Sequence, residues 1–213
     1  MIIAPSILSM DFSKMREQLQ AIEASKAQWL HVDVMDGHFV PNLSFGPDVV
    51  KQVRKLSTRF FDVHIMVSNP KHFAPIFKEA GADLITFHVE ATEDVQGQID
   101  AIHALGIQAG LSLKPKTPIE AVYPYLASVD LILIMSVEPG YGGQAFIPEA
   151  LDRIRQLKAE CDRQQVHPYL EVDGGINRET GLACLEAGAD VLVAGSYLFK
   201  QDLIEGIDSL WKK

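Results

Sequence analysis

The stretch "EAGADLITFH", residues 79–88, returns later in the chain as "EAGADVLVAG", residues 186–195. In both copies a helix-type segment stops at glycine, Ala-Asp makes a short connection, and an apolar run follows. Glycine readily takes the left-handed conformation that ends a helix. A connection this short is usual between a helix and the next strand of an α/β unit. Working outward, the same alternation covers the chain. Strand-type runs fall at IIAPSIL (2–8), WLHVDVM (29–35), FFDVHIMV (60–67) and DLITFHVE (83–90). They continue at QAGLSL (108–113), DLILIMSV (130–137), YLEVDGG (169–175) and DVLVAGS (190–196). Helical periodicity lies between them, as in MREQLQAIEAS, DVVKQVRKLS and LDRIRQLKAECDRQQ. Strand–helix alternation predicts a parallel sheet with right-handed crossovers. Eight such units predict an α/β protein built as a (β/α)8 TIM barrel, one domain over residues 1–213. A doubly wound open sheet would carry a glycine-rich turn after its first strand, and APSILSMD has none.

Composition narrows the class of function. A chain of 213 residues, 47% of them hydrophobic, can bury one sizeable core. No apolar run approaches the roughly eighteen residues that a membrane span needs. The opening MIIAPSILSMDFSKM has neither a basic stretch nor a long apolar stretch, so it does not read as a signal peptide. The two cysteines, Cys161 and Cys184, both fall in helical patterns. They point to a reducing, cytoplasmic setting with no disulfide framework. A net charge of −9 without a Lys/Arg cluster argues against nucleic acid or an anionic membrane as partner.

The chemistry collects on one face of the strands. Side chains at i, i+2 and i+4 of a strand share a face. In a barrel of this kind the outward face packs under helices, and inward residues near the C-terminal strand ends form the active site. In WLHVDVM, Val32 and Val34 take the helix side, while His31, Asp33 and Met35 point inward. In FFDVHIMV, Val63, Ile65 and Val67 point out, while Asp62, His64 and Met66 point in. In YLEVDGG, Leu170 and Val172 point out, while Glu171 and Asp173 point in. The first strand brings Ser6 inward, and the sixth brings Met135. Two histidines and two aspartates, His31, Asp33, His64 and Asp173, thus converge from three strand ends. Buried charge needs a partner. This donor set suits one divalent cation, Zn²⁺, Fe²⁺, Mn²⁺ or Co²⁺, and the bland alternative is a metal-free His–Asp hydrogen-bonded network. Glycine-rich segments follow strands six, seven and eight: EPGYGGQ (138–144), DGGIN (173–177) and GSYLF (195–199). Loops after strands seven and eight are the common phosphate site of such barrels. The remaining histidines read as structural: His38 as a loop cap, His88 as a satisfied core residue, and His72, His103 and His167 as surface or helix positions.

At these residues the chain resembles the ribulose-phosphate 3-epimerase family. APSIL, HVDVMDGHFVPN, DVHIMV, MSVEPGYGGQAFIP, EVDGGI and AGSYLF match that family's blocks in order, from about Ala4 to Lys200. The resemblance implies that His31, Asp33, His64 and Asp173 hold a divalent metal, with Asp33 and Asp173 as the acid/base pair. It implies that Ser6 and His64 touch the sugar. Gly140, Tyr141, Gly142, Gly143, Gly174, Gly175, Gly195 and Ser196 would line the phosphate end, and Met35, Met66 and Met135 would cap the reacting carbons. The implied reaction is interconversion of D-ribulose 5-phosphate and D-xylulose 5-phosphate at C3 through a cis-enediolate, with no organic cofactor, in a homo-oligomer. Inverting a carbon next to a carbonyl requires a proton to leave one face and another to arrive on the opposite face. Two carboxylates can do this as alternating base and acid. A ketohexose 6-phosphate (allulose 6-phosphate) epimerase is the nearest alternative, and the DGGI and GYGG loops favour the pentulose. A metal-free lyase on a related barrel would carry Asp-x-Lys-x-x-Asp, which is absent from the second and third strands. Two positions depart from the family, Lys114 and Glu138, where asparagine is usual. They follow neighbouring strands and are expected to form a partly exposed Lys–Glu pair.

Overall fold

A computed structural model describes residues 1–211. Eight strands form one parallel sheet: β1 (Ile2–Pro5), β2 (Trp29–Met35), β3 (Phe60–Met66), β4 (Leu84–His88), β5 (Gln108–Leu113), β6 (Leu131–Met135), β7 (Tyr169–Asp173) and β8 (Val191–Ala194). The order is β1-β8-β7-β6-β5-β4-β3-β2, every pairing parallel. A single parallel bridge, Ser6 to His31, brings the two ends of the sheet together. The barrel expected from the alternation is therefore present. Several strands are shorter than the apolar runs that announced them. In the run from residue 2 to 8 the strand ends at Pro5, and Ser6, which makes the closing bridge, also caps a short 3-10 turn, Ile7–Ser9. Residues past the ladder turn inward over the barrel's mouth, where the site is built.

Helices wrap the sheet: α1 (Met15–Ala24), α2 (Pro47–Arg54), α3 (Pro70–Ala80), α4 (Val95–Ala104), α5 (Ala150–Gln164), α6 (Arg178–Ala187), α7 (Ser196–Phe199) and α8 (Leu203–Trp211). The two EAGAD segments end α3 and α6 as read, with Gly81 and Gly188 in the left-handed region. The crossover from β5 to β6 is a 3-10 segment, Ile119–Tyr125, rather than an α-helix. Pro124 inside it has no N–H to donate to a helical ladder. None of the described helices is long and apolar enough to cross a membrane.

The period-two alternation sorts the strands into two cores. Val32, Val34, Val63, Ile65, Leu170 and Val172 join the large outer core beneath the helices, together with Ile154, Leu157 and Cys184. Fully burying an aliphatic side chain of this size stabilises the fold by about 1.5–3 kcal/mol, so these valines are what seat β2, β3 and β7. Inside the barrel a smaller cluster of Ala4, Trp29, Leu84, Leu131, Leu133, Met135 and Val191 fills the interior. Trp29 closes the N-terminal end against Phe60 and Tyr169, with ring centroids 4.7 and 5.3 Å apart. Cys161 and Cys184 are buried free thiols in α5 and α6, and burial raises them to about 11 and about 12. They are inert packing residues.

Candidate active site

The parallel register of β2 and β3 builds the first layer. It sets His31 beside Asp62, Asp33 beside His64, and Met35 beside Met66. All six are buried. Asp33 is the hub. Its Oδ1 lies 3.2 Å from His31 Nε2 and 3.2 Å from His64 Nδ1, and its Oδ2 accepts a 2.6 Å hydrogen bond from the Ser6 hydroxyl. Asp173 arrives from the end of β7, where its backbone carbonyl accepts from both the N–H and the hydroxyl of Ser136. One ligand atom from each of His31, Asp33, His64 and Asp173 lies within 4.8 Å of the other three. The four expected ligands are thus brought to one point.

The electrostatics of this cluster call for positive charge. Burial disfavours the Asp33 carboxylate, but the His31 and His64 rings outweigh it and hold Asp33 well below the usual carboxylate range. Burial alone would strip the proton from His31; the charges of Asp33 and Asp62 overcome it and keep His31 far above its ordinary value. Asp173, partly buried at the end of β7, shifts the opposite way, because desolvation and the charge of Asp33 both disfavour its carboxylate; it is pushed up to about 7. Two carboxylates and two imidazoles carry a charge of −2 when the rings are neutral, which a divalent cation cancels. Oxygen and nitrogen donors in this proportion fit Zn²⁺, Fe²⁺, Mn²⁺ or Co²⁺. Beneath them, His31 Nδ1 reaches Asp62 Oδ2 at 2.5 Å. Glu171 sits beside this pair at 0% exposure, and among the described residues neither of its carboxyl oxygens finds a hydrogen-bond partner. Burial and the Asp62 charge push the Glu171 carboxyl well above the usual range.

Above the cluster opens a cleft of about 490 Å³. Ser6, Asp33, Met35, Met66, Met135 and Asp173 line its inner end, and Gly140, Tyr141, Gly142, Gly143, Gly174, Gly175, Gly195 and Ser196 line the rest. Of the four expected ligands, His31 and His64 lie below its surface, both fully buried. Asn42 ties the loop after β2 to the glycine-rich loop by donating to the Gly140 carbonyl at 2.8 Å. Gly175 has φ +64°, and a Cβ there would fall 2.5 Å from the backbone nitrogen of Phe146, so only glycine fits this approach. The first N–H groups of α7 follow Gly195 and have no partner within the helix.

The expected pair of Lys114 and Glu138 is not formed. Among the described residues no ion pair joins them; Lys114 instead places its ammonium 4.0 Å from the centroid of the Phe39 ring. Adjacent strand ends bring two backbones together but do not aim long side chains at each other. His38 caps its turn as read, with its N–H and ring bound to Asp36. His88 is satisfied and buried as expected, but its partner is His64, at 2.8 Å between the Nε2 atoms. The alternation Leu84, Thr86, His88 in β4 carried that signal, since it places His88 on the inward face. Asn177 and Tyr197, inside the glycine-rich segments but not singled out in them, also line the cleft, as do Thr180 and Lys200, which no motif marked.

Comparisons with known proteins place the chain in one family. The chain is 46% identical to ribulose-phosphate 3-epimerase of Synechocystis sp., over 93% of this chain and 87% of that one. It is 43% identical to the chloroplastic ribulose-5-phosphate-3-epimerase of Arabidopsis thaliana, over 98% of this chain and 75% of that one. Among solved structures, a mutant tryptophan synthase alpha-subunit from Pyrococcus furiosus superposes with a TM-score of 0.73 at 18% identity. That match covers 99% of this chain and 96% of the other, and it shows the barrel fold alone. The model of the ribulose-phosphate 3 epimerase family matches residues 2–199, and the chain belongs to that family.

Proposed function

We propose that this protein is a metal-dependent epimerase that interconverts D-ribulose 5-phosphate and D-xylulose 5-phosphate by two-base proton transfer at C3. One observation carries the reading: Asp33 and Asp173 reach the same cleft from β2 and β7, and their surroundings shift the two carboxyls in opposite directions. Titratable pairs whose surroundings push them apart mark the acid and the base of a reaction. Asp33, whose Oδ2 accepts from the Ser6 hydroxyl and whose shift leaves it ionised, is the base that takes the C3 proton of ribulose 5-phosphate. Asp173, raised to about 7 by desolvation and the charge of Asp33, returns a proton to the opposite face. The roles exchange in the reverse direction. His31, Asp33, His64 and Asp173 would hold one divalent cation, which when bound supplies Lewis acidity to the substrate oxygens that gain negative charge. Met35, Met66 and Met135 bring polarizable, non-ionising surface to the reacting carbons and exclude water from them. The phosphate would rest on backbone N–H groups of the loops at Gly140–Gly143, Gly174–Gly175 and Gly195–Ser196, with no organic cofactor.

The reading is tested by incubating the metal-loaded protein with ribulose 5-phosphate and, separately, allulose 6-phosphate. Rapid formation of xylulose 5-phosphate is expected, with metal bound near one equivalent per chain. Faster turnover of the hexulose would assign the other substrate, and full activity after thorough demetallation would remove the cation from the mechanism.

A further inference from the structure

His64 is held from both sides. Its Nδ1 lies 3.2 Å from Asp33 Oδ1, on the side of the four converging donors, and its Nε2 lies 2.8 Å from His88 Nε2. His88 in turn places Nδ1 3.3 Å from Glu90 Oε2. Both rings have no solvent exposure, and the Phe39 ring covers His88 with centroids 4.8 Å apart. The other oxygen of Glu90 accepts the backbone N–H of Lys114 at 2.8 Å and the hydroxyl of Thr117. The row thus runs from the cluster to the turn after β5.

Its hydrogen-bond directions follow from chemistry alone. Two facing Nε2 atoms can share only one proton. Burial opposes the Glu90 carboxylate, but its hydrogen bonds outweigh it and hold Glu90 down to about 2, so Glu90 accepts at both oxygens: from Lys114 N–H and the Thr117 hydroxyl at one, and from His88 Nδ1 at the other. A neutral His88 that donates from Nδ1 must accept at Nε2. His64 then carries its single proton on Nε2, and its Nδ1 presents a lone pair toward Asp33. On the other ligand the same task is done directly, by Asp62 on His31 Nδ1.

We propose that His88 and Glu90 are positioning residues that fix His64 as the tautomer with Nδ1 free for the cation. The inference rests on the proposed four-residue metal site and extends it by two residues beyond the ligands, His88 and, through it, Glu90. Partners of this kind, a carboxylate or carbonyl behind a metal-bound histidine, typically change metal affinity by about 10- to 100-fold when removed. Here the carboxylate acts through a second imidazole, and its far side is anchored by backbone, not by the Lys114 side chain. Lys114, one of the two departures from the family, therefore enters the row through an N–H that any residue but proline supplies.

The test is metal affinity, measured on the metal-free full-length protein by Zn²⁺ and Co²⁺ competition against a chelator, with the visible spectrum of the Co²⁺ form. His88→Phe keeps an aromatic ring against Phe39 but has no acceptor; it is expected to bind both ions about 10- to 100-fold more weakly and to alter the Co²⁺ spectrum. His88→Gln supplies an amide oxygen that can accept from His64, and it is expected to regain most of the affinity. Glu90→Ala, which touches neither ligand nor ion, is expected to weaken binding in the same direction, and it carries the test if His88→Phe does not fold. Circular dichroism of each metal-free variant monitors the fold. Affinity within about twofold of the parent in His88→Phe or Glu90→Ala overturns the proposal. Equal loss in His88→Phe and His88→Gln also overturns it, because ring shape rather than an acceptor would then be what matters. A parent protein that binds neither ion fails in a different place: it removes the four-residue site itself, and this inference with it.

Discussion

Gly175→Ala probes the loop that joins β7 to α6, where backbone must pass close to backbone. At φ +64° a Cβ would lie 2.5 Å from the Phe146 nitrogen and 2.7 Å from its Cα. An L-residue in the left-handed region costs about 1–2 kcal/mol. The methyl group must also push the β6–α5 segment back by roughly 1 Å to restore ordinary contact, and overpacking of this kind costs about 1–3 kcal/mol. The sum is about 2–5 kcal/mol, which lowers Tm by roughly 4–20 °C for a domain of this size. Gly106→Ala is the matched control. It has φ +79° and nothing within 4 Å of the added carbon, so it carries the strain without the clash. Its expected loss is about 2–8 °C. The entropic gain of alanine over glycine in the unfolded chain is common to both and cancels. Thermal unfolding of the metal-free proteins, followed by circular dichroism, gives the difference. Phe146 lines the cleft, so Gly175→Ala should also raise the KM for ribulose 5-phosphate, whereas Gly106→Ala should not. If both variants unfold at the same temperature, or Gly175→Ala leaves KM unchanged, the close approach is not what requires glycine.

Three further outcomes are expected. Asp173→Asn should lower epimerisation by at least about a hundredfold, the scale of a lost general acid/base; the metal-loaded variant should still exchange the C3 hydrogen of ribulose 5-phosphate slowly with D₂O through Asp33, and near-normal epimerisation would sink the two-base scheme. Lys200 lines the cleft beside Ser196 without belonging to a glycine-rich loop. Lys200→Ala should therefore raise KM by about three- to tenfold with kcat little changed, as for one exposed charge-assisted contact, while an unchanged KM would leave phosphate recognition to backbone alone. Asp36 opposes burial with hydrogen bonds from the N–H groups of Ser68, His38 and Phe39 and from the Ser68 hydroxyl, and sits near 2 instead of 3.8. A folded value below the unfolded one means that its contribution is complete above about 4 and is lost as pH falls toward 2. The stability of Asp36→Asn should thus fall less steeply than that of the parent across that window, and parallel acid limbs would show that Asp36 does not anchor the loop.

How much of this was legible in the sequence follows from how local each feature is. The facing of His31, Asp33, His64 and Asp173 is a period-two property of single strands, and valines on alternate positions announced it. The glycine caps Gly81 and Gly188 are likewise local, and the repeated EAGAD gave both. Contacts between strands are not local. That Asp33 stands beside His64, and that His88 meets His64 rather than another core group, depends on how far each crossover advances the next strand. Lys114 shows the limit most plainly. Its neighbourhood with Glu138 was a sound inference from strand order, yet a four-carbon side chain chose the Phe39 ring, which lies on a different loop. Lys200 was missed for a related reason: it belongs to no glycine-rich segment and enters the cleft only because α7 is a single short turn.

The outward valines and the inward charges of β2 and β3 depend on each other. A slip of one residue in a strand exchanges its two faces. In β2 it would drive His31 and Asp33 under the helices and turn Val32 and Val34 into the barrel. Isolated buried ions cost several kcal/mol even after relaxation, while each seated valine contributes about 1.5 kcal/mol or more. Both effects oppose the slip, and together they fix the register that places Asp33 beside His64 and Met35 beside Met66. The packing that stabilises the barrel is thereby also what aims the donors. A valine-to-alanine change on the helix side of β2, with no contact to the cleft, should for this reason loosen metal binding as well as the fold.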